Sequence, residues 1–212
     1  MKQLFPNIFL LPADFSLGFS YFVQRPAGNL LIPNGLMADE LNSLVALLDG
    51  MGGVSIVLAC CKHNVKAASV TAAVCAHYGA PLLIGAPDTK GGMIAGGKHV
   101  KALKFKEAAL GPDLDFIPLI GYSSGSAGYL WRNNGRAYLF TGVTLAHTDG
   151  VWRVWTSAPK AANCVAGFKR MKELAFDVLF LNSYSNTPPA WFEWSQDEKN
   201  TVLDLAISHV TL

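Results

Sequence analysis

The order of its periodic segments constrains this chain most. Strand-like and helix-like runs fall into two halves, each closing on a strand, a helix and another strand, with no linker of biased composition between them. In the first half, Tyr21 to Ile32 holds two β-rich runs around Pro26-Ala27-Gly28-Asn29, the chemistry of a hairpin turn. Leu41, Leu44, Val45 and Leu48 fall at helical spacing, and Gly50 stands where a left-handed C-cap would sit, which predicts a helix over Ala38 to Asp49. Val54 to Cys60 then reads as a strand, Val65 to Tyr78 as a helix and Pro81 to Ala86 as a strand. In the second half, Lys101 to Ile120 reads as two strands around Gly111-Pro112-Asp113, and Tyr129 to Leu145 as two more around Asn133-Asn134-Gly135. Val151 to Trp155 adds a strand, Ala158 to Leu174 a helix and Asp177 to Leu181 a strand. Ser195 with Glu198 three residues on opens the last helix as a capping box, with Leu203, Ala206, Ile207 and Val210 as its apolar face. This alternation predicts two sheets with helices outside, in one α/β domain spanning residues 1–212.

Composition narrows the partners. A chain of 212 residues that is 51% hydrophobic can bury a sizeable core. Its net charge of +2 comes from scattered Lys and Arg, so neither nucleic acid nor an anionic membrane is an expected partner. Five Trp and twelve Phe in a chain only 15% charged point to a homo-oligomeric interface. The four cysteines include the adjacent pair Cys60-Cys61, which cannot bridge without strain, and fit a reducing, cytoplasmic compartment. Leu4 to Pro12 is broken by proline at both Pro6 and Pro12 and reads as an edge strand rather than an export signal. Ala67 to Pro87 is uncharged, but Gly79 and Pro81 split it into helix and strand, not a membrane span.

Three segments in order resemble the metallo-β-lactamase superfamily. Ser20-Tyr21-Phe22-Val23-Gln24 through Gly28-Asn29-Leu30-Leu31-Ile32 is similar to its opening strands, and Ile56-Val57-Leu58 leads into the loop where that family carries T-H-x-H-x-D-H. Gly121-Tyr122-Ser123-Ser124-Gly125-Ser126 resembles its G-H-T-P-G-S, and Phe140-Thr141-Gly142-Val143-Thr144-Leu145 its F-T-G-D-T-L. Asp177 to Tyr184 stands where the family has a strand followed by a last histidine. The resemblance implies a four-layer αββα sandwich of two mixed sheets. It also implies a hydrolytic site in which histidines and aspartates hold zinc and activate a water.

The ligand positions have changed. The first loop, Ala59-Cys60-Cys61-Lys62-His63-Asn64-Val65, aligns in two registers, one placing Cys60, Lys62, Asn64 and Val65 at ligand positions, the other Ala59, Cys61, His63 and Asn64. The third histidine becomes Tyr122, the bridging aspartate Val143 and the last histidine Ser183. Valine offers no lone pair, and its place at the bridging position removes the anion that would balance two divalent cations. A lysine ammonium offers donors only. The expectation is a protein without zinc ligands that binds a small polar ligand or a protein partner, its old metal cleft bordered by Cys60, Cys61, His63, Asn64, Tyr122, Val143 and Ser183. Tyr122, Asn64 and Ser183 either fill that space by bonding to one another or line a ligand cleft. The enzymatic alternative is a hydrolase with a rebuilt mononuclear zinc or iron site on Cys61 and His63, or a metal-free cysteine hydrolase.

Other features read as ordinary structure. His147 precedes the turn Thr148-Asp149-Gly150 and is expected to be exposed. Asn182 to Ala190, followed by Trp191 and Trp194, reads as an ordered loop with aromatic anchors that either pack down or make a subunit contact. Gly91, Gly92, Gly96 and Gly97 form a glycine-rich loop without the Lys-Ser/Thr of a phosphate cradle.

Overall fold

Two facing sheets, each backed by a pair of helices, make up the computed structural model. It describes residues 1–12, 18–34, 36, 41–65, 70–89, 97–183 and 190–211, the side chains of Asn64, Val65 and Thr211 excepted. The first sheet runs in chain order through β1 (Lys2–Phe5), β2 (Ile8–Leu10), β3 (Tyr21–Val23), β4 (Leu30–Ile32), β5 (Ile56–Leu58), β6 (Leu82–Gly85) and β7 (Val100–Leu103). Neighbours from β1 to β4 are antiparallel and those from β4 to β7 parallel. The second sheet contains β8 (Ala108–Ala109), β9 (Leu114–Pro118), β10 (Ala127–Asn133), β11 (Arg136–Phe140), β14 (Val178–Phe180) and β15 (Trp191–Glu193), in the spatial order β15-β14-β11-β10-β9-β8. Only β11 and β14 are parallel in it. A separate hairpin, β12 (Leu145–Thr148) and β13 (Val151–Val154), follows β11.

The alternation of side chains along each strand builds the layers. Tyr21, Val23, Leu30, Ile32 and Leu58 from the first sheet meet Tyr129, Trp131, Tyr138, Phe140, Val178 and Phe180 from the second in one core. Their sequence neighbours Phe22, Leu31 and Val57 face outward, under α1 (Leu41–Asp49) and α2 (Val70–Tyr78). On the far side Leu130, Leu139 and Leu179 pack beneath α3 (Ala161–Glu173) and α4 (Gln196–Thr211). The result is the four-layer αββα sandwich of two mixed sheets that the sequence implies.

Local chemistry fixes the turns. Asn134 and Gly135 both have positive φ, 50° and 76°, in the two-residue link of β10 to β11. Asp149 and Gly150, at 52° and 77°, do the same between β12 and β13. The Ser195–Glu198 capping box forms: the Ser195 N–H bonds Glu198 Oε2 at 2.8 Å, and the Glu198 N–H bonds Ser195 Oγ at 3.2 Å.

Three expectations change. The Leu4 to Pro12 run is not one edge strand but the hairpin β1–β2, because Asn7, next to Pro6, takes the left-handed conformation at φ 68° and reverses the chain. Gly50 is not the left-handed cap of α1. The helix winds on to Met51, Gly52 takes φ 90°, and the Gly53 N–H closes on the Leu48 carbonyl at 2.8 Å while the Gly52 N–H reaches Asp49 O at 3.1 Å, a Schellman motif. Trp191, read as a loop anchor, lies in β15, where it pairs with Phe180 and packs edge-on against Phe5.

Candidate functional site

The loops that carry the family-like motifs leave the carboxyl ends of strands, and parallel pairing brings several of those ends to one rim. Residues 59–65 follow β5, Ala86–Thr89 follow β6, 141–144 follow β11 and 181–183 follow β14, while 119–126 link β9 to β10. Cross-links between the sheets hold this rim closed. The Ala127 N–H bonds the Cys60 carbonyl at 2.8 Å, and Tyr129 Oη donates to the carbonyls of Ala59 at 2.9 Å and Leu83 at 3.3 Å.

Period-two alternation decides the fate of the first cysteine. Ile56, Leu58 and Cys60 all point into the inter-sheet core, and Cys60 is 1% exposed. Its Sγ donates weakly to Asn182 Oδ1 at 3.7 Å. Burial first, and the neighbouring Cys61 second, push its thiol well above the usual range. A thiol so placed is a poor nucleophile.

Cys61 and His63 lie beyond the strand and meet the Gly121–Ser126 loop. The His63 ring stands edge-on to Tyr122 with centroids 4.8 Å apart. The Tyr122 phenol is raised by burial and then by Cys61 beside it, although the residue is 37% exposed. Lys160 Nζ donates to the Tyr122 carbonyl at 3.1 Å and to Ser157 Oγ at 3.1 Å. Of the two possible registers, the one containing Cys61 and His63 therefore faces the second motif. Asn64 lies in the short helix Lys62–Val65, but its side chain falls outside the described residues. Val143 is half-buried after Gly142, whose φ of +70° and tight contact with Cys60 leave no room for a Cβ.

Ser183 is 1% exposed and among the described residues its Oγ has no hydrogen-bond partner, so the mutual bonding of Tyr122 and Ser183, one of the two arrangements expected, does not form. Asn182, fully buried, takes the available partners: its Nδ2 donates to Phe19 O at 3.2 Å, its N–H to Gly142 O at 3.1 Å, and its carbonyl accepts from Asn34 Nδ2. Two buried polar residues of the rim escaped the sequence reading, Asn182 and Asp88. Asp88, in the short helix after β6, is 3% exposed and accepts hydrogen bonds from both motif loops. A polar residue ending an all-apolar strand was the available signal for Asn182; Asp88 carried none. The Asn182 to Ala190 segment lies outside the described residues from 184 to 189, as do 91–96 of the glycine-rich loop.

His147 is not exposed as expected. It sits half-buried on β12 between Trp152 (4.7 Å) and Phe192 (5.0 Å), because its strand pairs with β13 beside β15. Burial lowers its pKa. A cavity of about 10 Å³, room for one water, lies between the second sheet and α3 at the base of the 119–126 and 141–144 loops, lined by Leu119, Thr141, Thr144, Cys164, Phe168 and Met171.

A zinc site needs three or four His, Cys, Asp or Glu donors converging on a point. Among the described residues no three such side chains do so. Of the five histidines only His63 reaches the rim: His77 lies 3.8 Å from Asp49 on the outer helices, His147 is in the aromatic cluster, His99 precedes β7 and His209 is on α4. Among the described residues, those at the rim do not fit the zinc centre that the resemblance implies.

No known family profile matches the sequence, and no curated protein does. Solved structures do match. A B3 metallo-β-lactamase described as the first with an active-site glutamic acid superposes with a TM-score of 0.66 at 18% identity, over 100% of this chain and 91% of its own. The Rm3 metallo-β-lactamase gives 0.68 at 15%, over 99% and 91%. The metallo-β-lactamase MIM-1 from Novosphingobium pentaromativorans gives 0.59 at 19%, over 92% and 82%. The chain has the metallo-β-lactamase fold, and at this sequence distance the likeness shows the fold alone.

Proposed function

We propose that this protein is a non-catalytic binding module, built on a hydrolase fold whose metal centre has been dismantled. The observation that carries the reading is the donor set at the rim. Cys60 is turned into the core, His63 packs on Tyr122, and the positions resembling the bridging and last ligands hold Val143 and Ser183. Cys61 and His63 alone supply too few donors to retain a divalent cation against water. The metal-free cysteine alternative finds no support at Cys60, whose buried thiol is shifted away from nucleophilic character.

What remains is a rim of hydroxyl, imidazole and ammonium groups from Tyr122, His63, Ser157 and Lys160 around a partly open loop pair. Such a surface suits a small polar or anionic ligand, or a protein partner presenting one. The test is elemental analysis of protein purified without chelator, joined to an assay against esters, thioesters and lactams. Metal far below one equivalent and no turnover is the expected result. Stoichiometric zinc or iron, or turnover abolished by changing Cys61, would overturn the reading.

A further inference from the structure

In the fold's hydrolytic relatives a cation ties the two ligand loops together by gathering lone pairs. The same two loops here are tied with the opposite polarity. Asp88 Oδ2 accepts the Lys62 N–H from the first loop at 2.8 Å and also the Ser123 hydroxyl from the second, while Oδ1 accepts the Gly125 N–H at 2.8 Å. Ser123 is itself braced by Ser126, whose Oγ accepts the Ser123 N–H at 2.8 Å. Among the described residues Asp88 forms no ion pair, and backbone amides and a hydroxyl are what satisfy its buried oxygens.

The approach needs glycine on both sides. A Cβ on Gly125 would lie 2.6 Å from Asp88 Cγ and 2.7 Å from the Asp88 nitrogen, and one on Gly85 would lie 2.5 Å from the Gly125 carbonyl oxygen.

We infer that Asp88 is the positioning residue of this cleft: its carboxylate replaces a metal as the cross-link between the first loop and the Gly121–Ser126 loop, and so keeps Cys60 and Cys61 sealed. The inference rests on the metal-free reading above. It assigns the seal to one carboxylate, and the chain carries its own control, since Cys75 on α2 is also a buried thiol, packed on the outer face of the first sheet and pushed up to about 11 by burial.

The test is alkylation of the native full chain with N-ethylmaleimide, read thiol by thiol by peptide mass spectrometry, in the wild type, Asp88→Ala and Ser123→Ala. Losing a charge-assisted hydrogen bond should shift a local opening equilibrium by about tenfold or more, so Asp88→Ala should speed labelling of Cys60 and Cys61 by that factor. Ser123→Ala, which removes one donor, should speed it less. Cys75 should keep its wild-type rate in both. Labelling that rises equally at Cys60, Cys61 and Cys75, or does not rise at Cys60 and Cys61, overturns the inference. Should Asp88→Ala fail to fold, Ser123→Ala decides by the same criterion. A chelator arm separates the two readings: if chelator alone opens Cys61 in the wild type, a metal is present and the proposed function fails, whatever Asp88 does.

Discussion

Replacing Ser183 by alanine should make this protein more stable, which is the reverse of the usual outcome for a buried hydroxyl. Ser183 Oγ is desolvated, in a residue 1% exposed, and has no partner among the described residues. An unsatisfied buried polar group costs about 1–3 kcal/mol, and Ser→Ala removes that cost while deleting a single heavy atom, so little packing is lost. A net gain of about 1 kcal/mol follows, which for a chain of this size is a Tm rise of roughly 2–4 °C. Ser20 is the matched control. It is fully buried too, but its Oγ donates to the Asn34 carbonyl and accepts the Asn34 N–H at 2.7 Å. Ser20→Ala strands both Asn34 groups and should lower stability by about 1–2 kcal/mol. Equilibrium urea unfolding of the two variants against wild type reads both signs in one experiment. If Ser183→Ala loses as much as Ser20→Ala, the reasoning is refuted: the hydroxyl then has a partner, a bound water or a ligand carried through purification, and native mass spectrometry tells these apart.

Two further outcomes follow from the same geometry. Gly142→Ala should cost about 2–4 kcal/mol, because it adds left-handed strain at φ +70° to a contact 2.8 Å from Cys60 Cβ, whereas Gly135→Ala, at φ +76° with nothing near, should cost only about 1 kcal/mol; thermal unfolding ranks them. His147 has a pKa lowered by burial, so the unfolded chain binds its proton more readily. Its contribution is complete above the ordinary histidine pKa and is lost as pH falls below it towards the folded value, and His147→Leu should flatten the fall in Tm measured from pH 7.5 to pH 5 by removing that one titration.

The layers were legible in the sequence because burial imposes a period on each strand, and the turns because left-handed residues are few in kind. Asn134-Gly135 and Asp149-Gly150 announced their hairpins for that reason. Gly50 misled because three glycines crowd residues 50–53, and which of them takes the left-handed position depends on where the last helical carbonyls find donors. The site was less legible. Its first loop admitted two registers because β5 is apolar on both faces: Ile56, Leu58 and Cys60 share one side, Val57 and Ala59 the other, and nothing in the run says which side meets the second sheet. That side is set by the pairing of β5 between β4 and β6 and by the tie of Cys60 O to Ala127, which are long-range facts.

Asp88 was silent for a related reason. Its hydrogen bonds reach back 26 residues to Lys62 and forward 37 to Gly125, and three of its donors are of kinds that no motif marks, two of them backbone amides. A metal centre is readable in sequence because coordination demands side chains of a few types, whereas a carboxylate held by amides leaves its partners' identities unconstrained. That the resembling positions hold Tyr122, Val143 and Ser183 can therefore be read from sequence, whereas a cross-link made through backbone amides cannot. If the cross-link has passed from side chains to the backbone, substitutions at Tyr122, Val143 and Ser183 no longer bear on whether the rim stays assembled, and those positions are released to fit whatever the cleft binds.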